Sequence, residues 1–171
     1  MFDSRRISSL CFAGLCGVVF AAAVPATVSF AQANGQVPFV KRHIYSETAD
    51  PAKDISAALA EARKEHKRVL IDFGGDWCGD CQVLDIYFRQ SPNEDLLKKN
   101  FVLVHVFINA EMGNHLEIAK KYGVPISHGV PALAVLSSTG KVLYSQETGQ
   151  FADMRHMSPE SVTEFLNKWK G

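Results

Sequence analysis

The sequence contains few cysteines and has no excess of charge of either sign. Its 171 residues include four cysteines, and 18 basic side chains balance 18 acidic ones. A balanced charge offers no strongly basic surface, so we expect neither nucleic acid nor a charged membrane surface as a partner. Two of the four cysteines lie in the amino-terminal leader predicted below, and the single pair that remains excludes a framework stapled by several disulfides. The absence of a second Cys-x-x-Cys pair and of any His-x-x-x-His pair argues against a structural zinc site.

The amino-terminal segment predicts the compartment. Arg5 and Arg6 precede an uncharged stretch over 7–40, in which apolar residues are followed by small residues that end at Ala31-Gln32-Ala33. This pattern is typical of a secretory signal peptide, which we predict over residues 1–33, and it indicates a periplasmic protein. An uncleaved membrane anchor is the alternative, because the uncharged run is long enough to span a bilayer.

Loss of this leader would leave one pair of cysteines in the exported chain. Cys11 and Cys16 lie within the predicted leader, whereas Cys78 and Cys81 lie within the remaining domain. A single close pair in an oxidising compartment favours a redox site over a structural bridge.

The pair follows an apolar run at 69–73, in the order Trp77-Cys78-Gly79-Asp80-Cys81. This order predicts a buried strand that passes directly into a helix. A helix N-terminus favours thiolate over thiol and lowers the pKa of a cysteine below its free value of about 8.5. We therefore assign Cys78 as the attacking sulfur and Cys81 as the resolving sulfur of a thiol–disulfide exchange reaction, which needs no cofactor.

Two acidic residues near the pair have different predicted roles. Asp72 stands among apolar neighbours, and a buried carboxyl group tends to hold a proton, so it could take and return the proton of Cys81. The alternative is a solvated residue at the end or edge of the strand. Asp80 lies between the sulfurs with Gly79, where its charge would disfavour the Cys78 thiolate and shift the couple towards reducing behaviour.

Two separated motifs resemble the thioredoxin superfamily, particularly its secreted bacterial members. The first is the segment 69–81, and the second is Gly129-Val130-Pro131-Ala132 with the hairpin that follows it. The resemblance covers roughly 52–170 and implies an α/β fold: a thioredoxin-like three-layer α/β/α sandwich with a central mixed sheet. In that family a cis-proline faces the cysteines, and the backbone before it pairs with the substrate. Pro131 and Val130 occupy those positions here.

Other positions carry predictions with open alternatives. Trp77 would shield the pair and offer a flat surface to a partner protein, although core packing alone could account for it. His105, alone in an apolar strand, is interpreted as a half-buried core histidine, with an electrostatic influence on Asp72 or Cys81 as the alternative. His128 precedes the proline motif and is interpreted as a solvated loop histidine, with tuning of the sulfurs or metal binding as the alternative.

The chain reads as one domain without repeats. We predict an arm or an added edge strand over 34–50 and a thioredoxin-like domain over 51–171, with its first helix starting at Asp50-Pro51. The segment 101–108 is nearly all apolar, which predicts a central strand covered on both faces.

These observations predict an exported thiol–disulfide oxidoreductase that reduces protein disulfides and acts as a monomer. Its partners would be substrate proteins and a membrane or periplasmic redox protein. The alternative is a copper-binding or metallochaperone module that uses both cysteines with His128 as ligands.

Overall fold

The computed structural model describes residues 41–171, and this part of the chain contains five α-helices and four strands. The helices are α1 Pro51–Glu65, α2 Gly79–Phe88, α3 Asn93–Asn100, α4 Leu116–Lys121 and α5 Pro159–Trp169. The strands are β1 Arg68–Gly74, β2 Phe101–Phe107, β3 Ala132–Leu136 and β4 Val142–Ser145. Short 3-10 turns occupy Ile126–His128 and Met154–His156.

The four strands form one mixed sheet in the order β2-β1-β3-β4. β1 pairs with β2 in parallel, while the β1/β3 and β3/β4 pairs are antiparallel. β1 is therefore a central strand, and every residue of it except Arg68 is buried. The predicted mixed sheet is confirmed.

Helices cover both faces of this sheet. Alternate residues of β1 point to opposite faces, so each set packs against a different group of helices. Val69, Ile71 and Phe73 belong to a core shared with α1 and α4. Leu70 belongs to a second core shared with α2, α3 and α5. The predicted three-layer α/β/α sandwich is confirmed.

The prediction that 101–108 forms a central strand is wrong for the described part of the chain. β2 lies at the edge of the four-stranded sheet, and four of its seven residues are only partly buried. The apolar run indicates that this strand packs against helices, since Val102 and Phe107 pack against the α1 core. Apolar side chains do not indicate whether a strand has a hydrogen-bonded neighbour on each side.

The first helix begins where the sequence predicts. The Asp50 side chain accepts hydrogen bonds from the backbone N–H groups of Ala52 and Lys53, with Pro51 at the first helical position. Residues 41–50 approach this helix as an arm without strand structure. The predicted leader, 1–33, and the stretch 34–40 lie outside the described residues. Within 41–171, no helix is both long and apolar enough to cross a bilayer.

Candidate active site

The two cysteines lie at the N-terminus of α2 and form a disulfide with each other. Cys78 is the N-cap residue of this helix, and its Sγ accepts a hydrogen bond from the Cys81 backbone N–H at 3.1 Å. The Cα atoms are 5.3 Å apart. Cys78 is 7% exposed and Cys81 is 1% exposed. The outer sulfur is thus the one that a partner can reach, and the unpaired N–H groups of the helix end favour a negative charge on it.

The segment before β3 faces this pair. The Val130–Pro131 peptide bond is cis, and the Val130 carbonyl oxygen lies 3.4 Å from Cys78 Sγ. The buried side chain of Gln146 fixes the turn. Its Nε2 donates to the Pro131 carbonyl at 3.2 Å, and its Oε1 accepts from the Leu133 N–H at 3.3 Å. No role in the site is predicted for Gln146 from the sequence.

Trp77 lies beside the cysteines in the chain and is 42% exposed. The indole Nε1 donates to the Ile108 carbonyl at 2.7 Å, which fixes the ring at the end of β2. Core packing therefore does not account for this side chain, and its exposed face is available to a partner.

Asp72 is buried in the middle of β1, and only 2% of it is exposed. The alternative of a solvated strand-end residue is therefore wrong. Its Oδ2 accepts a hydrogen bond from the Tyr45 hydroxyl at 2.7 Å and lies 2.9 Å from Nδ1 of His105. Among the described residues, Oδ1 has no hydrogen-bond partner. Burial, and then the charge of Asp72, raise the pKa of Tyr45 well above its usual value.

Tyr45 reaches the site because the arm is tied to it by side chains next to the cysteines. Asp76 Oδ1 accepts from the backbone N–H groups of Ile44 and Tyr45 at 2.8 and 3.1 Å. The Gln82 amide pairs with the Arg42 backbone, accepting at 2.8 Å and donating at 2.9 Å. Neither anchor was predicted, because a single polar residue near a motif carries no signal about a distant partner.

Gly74 has no side chain, which leaves space for the Tyr45 hydroxyl and the Cys81 sulfur. A Cβ at Gly74 would lie 2.5 Å from the Tyr45 hydroxyl oxygen and 2.8 Å from Cys81 Sγ, closer than real Cβ contacts allow. The hydroxyl of the arm and the resolving sulfur therefore lie on the same side of Gly74.

Asp80 is buried and paired with a cation that the sequence analysis missed. It accepts from the Arg155 backbone N–H at 2.9 Å and from Nε at 3.1 Å, and Arg155 Nη2 lies 3.1 Å from its Oδ2. These hydrogen bonds raise the pKa of Arg155. The charge of Asp80 is thus partly balanced, which weakens the effect on Cys78 that we predict from the sequence.

His128 does not join the pair. It is exposed, and its Nδ1 lies 2.7 Å from the Glu147 carbonyl oxygen. Across 41–171, no group of three or more His, Cys, Asp or Glu side chains is placed to hold a metal ion. The copper-binding alternative therefore has no support.

Two cysteines that close a disulfide at a helix N-terminus, opposite a cis-proline, define a site for thiol–disulfide exchange. A sequence model of the family described as thioredoxin-like matches residues 50–138. The chain therefore belongs to the thioredoxin-like family.

Individual relatives agree with this assignment. The crystal structure of a disulphide isomerase from Xylella fastidiosa Temecula1 is similar at a TM-score of 0.70, with 36% identity, covering 75% of this chain and 98% of that one. Thiol:disulfide interchange protein DsbD 2 of Pseudomonas aeruginosa is 25% identical over 117 residues, or 68% of this chain. That match spans only 19% of the Pseudomonas protein.

Substitutions of Asp80 and of Arg155 should shift the ionisation of Cys78 in opposite directions. Asp80→Asn removes a negative charge and leaves Arg155 beside the helix end, so Cys78 ionises at lower pH. Arg155→Gln leaves the Asp80 charge unbalanced, so Cys78 ionises at higher pH. We expect each shift to be less than about one pH unit, because water screens the exposed guanidinium. The measurement is a titration of thiolate ultraviolet absorbance in the reduced protein.

Arg89→Gln is the matched control, because this arginine pairs with Asp85 at the other end of α2. It should leave the titration unchanged. Shifts of the same sign for Asp80→Asn and Arg155→Gln would contradict the assignment.

Proposed function

We propose that this protein is an exported oxidoreductase that reduces disulfides of other proteins in the periplasm through the Cys78/Cys81 dithiol. The position of Cys78 carries the proposal. Its sulfur lies at a helix N-terminus, is the more exposed of the pair, and lies 3.4 Å from the backbone that precedes Pro131.

The reaction starts from the reduced pair. The Cys78 thiolate attacks one sulfur of a substrate disulfide, forming a mixed disulfide, and the other substrate sulfur leaves and takes a proton. Cys81 then loses its proton to Asp72 and attacks Cys78. The Cys78–Cys81 bond forms, the second substrate sulfur leaves as a thiolate and is protonated, and two electrons have passed to the substrate.

Three residues are proposed to receive the substrate chain. The exposed ring of Trp77 provides apolar surface on one side of the sulfurs, and Val130 with Pro131 forms the opposite wall. The extended backbone of a substrate would pair with the Val130 backbone there, as a strand adds to an exposed edge.

The reducing direction is supported by the charges around the pair. The loop and strand that precede α2 carry Asp72 and Asp76, and Gly79 is followed by Asp80 within the motif. Negative charge near Cys78 disfavours its thiolate, which stabilises the disulfide relative to the dithiol and makes the dithiol a stronger reductant. Pairing with Arg155 reduces the share that Asp80 contributes.

A serine substitution at each cysteine tests the assignment of roles. Cys81→Ser should trap a mixed disulfide with insulin, because Cys78 can attack but nothing resolves the product. Cys78→Ser should form no adduct, and both variants should lose insulin reduction to background. Non-reducing electrophoresis with mass spectrometry measures the adduct. An adduct that forms equally well in Cys78→Ser would reverse the two roles.

Export is proposed from the amino-terminal pattern of Arg5, Arg6 and the uncharged stretch up to Ala33. A donor of electrons would then be a membrane or periplasmic redox protein. We expect the intact mass of the protein from a periplasmic fraction to correspond to cleavage near Ala33. Recovery of the full-length mass, with the protein held in the membrane fraction, would instead support the anchored form.

A further inference from the structure

We propose that Tyr45 and His105 are positioning residues for the resolving step: they hold the Asp72 carboxylate and let the proton taken from Cys81 leave through a groove between α1 and β2. This inference rests on the function proposed above. It adds a part played by the arm and by the strand β2, which are separate from the Cys-x-x-Cys motif.

The starting point is the uneven hydrogen bonding of Asp72. Oδ2 is held by the Tyr45 hydroxyl at 2.7 Å and by Nδ1 of His105 at 2.9 Å, whereas the buried Oδ1 has no partner among the described residues. A buried polar atom without a partner is costly and is rarely kept without a function. Oδ1 is therefore the free position at which this carboxylate can accept a proton.

Tyr45 donates to this carboxylate and lies near the sulfur of Cys81. Its hydroxyl oxygen and Cys81 Sγ crowd the same side of Gly74, at 2.5 and 2.8 Å from the point where a Cβ would lie. Burial and the neighbouring Asp72 raise the pKa of Tyr45, so the phenol stays protonated while it donates to the carboxylate. The backbone N–H groups of Ile44 and Tyr45 donate to Asp76 Oδ1, which keeps the Tyr45 hydroxyl in this position.

His105 connects the carboxylate to water. Asp72 is 2% exposed, but the His105 side chain is 25% exposed and lines a groove with residues of the arm and α1. Asp54 and Glu61 of α1 line the same groove, and the Tyr45 ring packs edge-on against the imidazole at 5.2 Å between centroids.

The proton then has a continuous route during resolution. Cys81 gives its proton to the Asp72 carboxylate, and its electron pair forms the bond to Cys78 while the substrate thiolate leaves. The carboxyl group then releases the proton to water in the groove that His105 lines, and the hydrogen bonds to Oδ2 favour the return of Asp72 to the carboxylate form. The released substrate thiolate takes a proton from solvent, so no oxidant other than the substrate disulfide is needed.

The test is single-turnover oxidation of the reduced protein by excess oxidised glutathione across a range of pH. The first glutathione thiol reports attack by Cys78, and the second reports resolution by Cys81. Tyr45→Phe and His105→Asn each remove a partner that favours the carboxylate form of Asp72. We expect the second release to slow about tenfold at neutral pH and its pH–rate midpoint to move upward, with the first release unchanged.

Matched controls separate this role from a general loss of structure. Tyr87→Phe removes a hydroxyl that donates to the Met157 carbonyl at 3.0 Å, and His66→Asn replaces an exposed histidine in the left-handed conformation at the end of α1. Neither should move the midpoint. His105→Gln repeats the test with a longer side chain in case the asparagine variant folds poorly.

The outcomes are distinct. An unchanged pH–rate midpoint in Tyr45→Phe and in both His105 variants, with normal glutathione release by the unsubstituted protein, would overturn the positioning role and leave the proposed function standing. Failure of the unsubstituted protein to release the second thiol would overturn the proposed function itself.

Discussion

A carboxyl group buried in the central strand is the constraint on which the site depends. Charge in an apolar core is tolerated only when other groups hydrogen-bond to it. Here Tyr45 of the arm and His105 of β2 both contact Asp72 of β1. The contacts of this one carboxyl group therefore link three separate segments of the chain. Removing the arm would therefore remove a hydrogen-bond donor to this carboxylate.

The surroundings of the pair balance two opposing electrostatic effects. The N-terminus of α2 favours a negative sulfur at Cys78, whereas nearby carboxylates disfavour it. Each carboxylate is tied to a different segment: Asp76 to the arm and Asp80 to Arg155. The same contacts that shape the surface around the sulfurs therefore also set the charge that the thiolate meets.

The sequence predicts the local parts of this structure well and the long-range contacts poorly. The strand that leads to Cys78, the helix that follows it and the strand after Pro131 could be predicted, because each depends on apolar periodicity and a short motif. Arg155 could not be paired with Asp80, which lies 75 positions away, since no local pattern links them. Tyr45 was missed for the same reason, because only the fold brings it to Asp72.

The reduction potential of the Cys78/Cys81 couple tests the central claim most directly, by equilibration of the protein against defined thiol buffers. A dithiol whose thiolate is disfavoured by surrounding carboxylates should be a strong reductant, with a potential near the value of about −270 mV found for thioredoxin. A potential near about −120 mV, typical of a strong disulfide donor, would contradict the account.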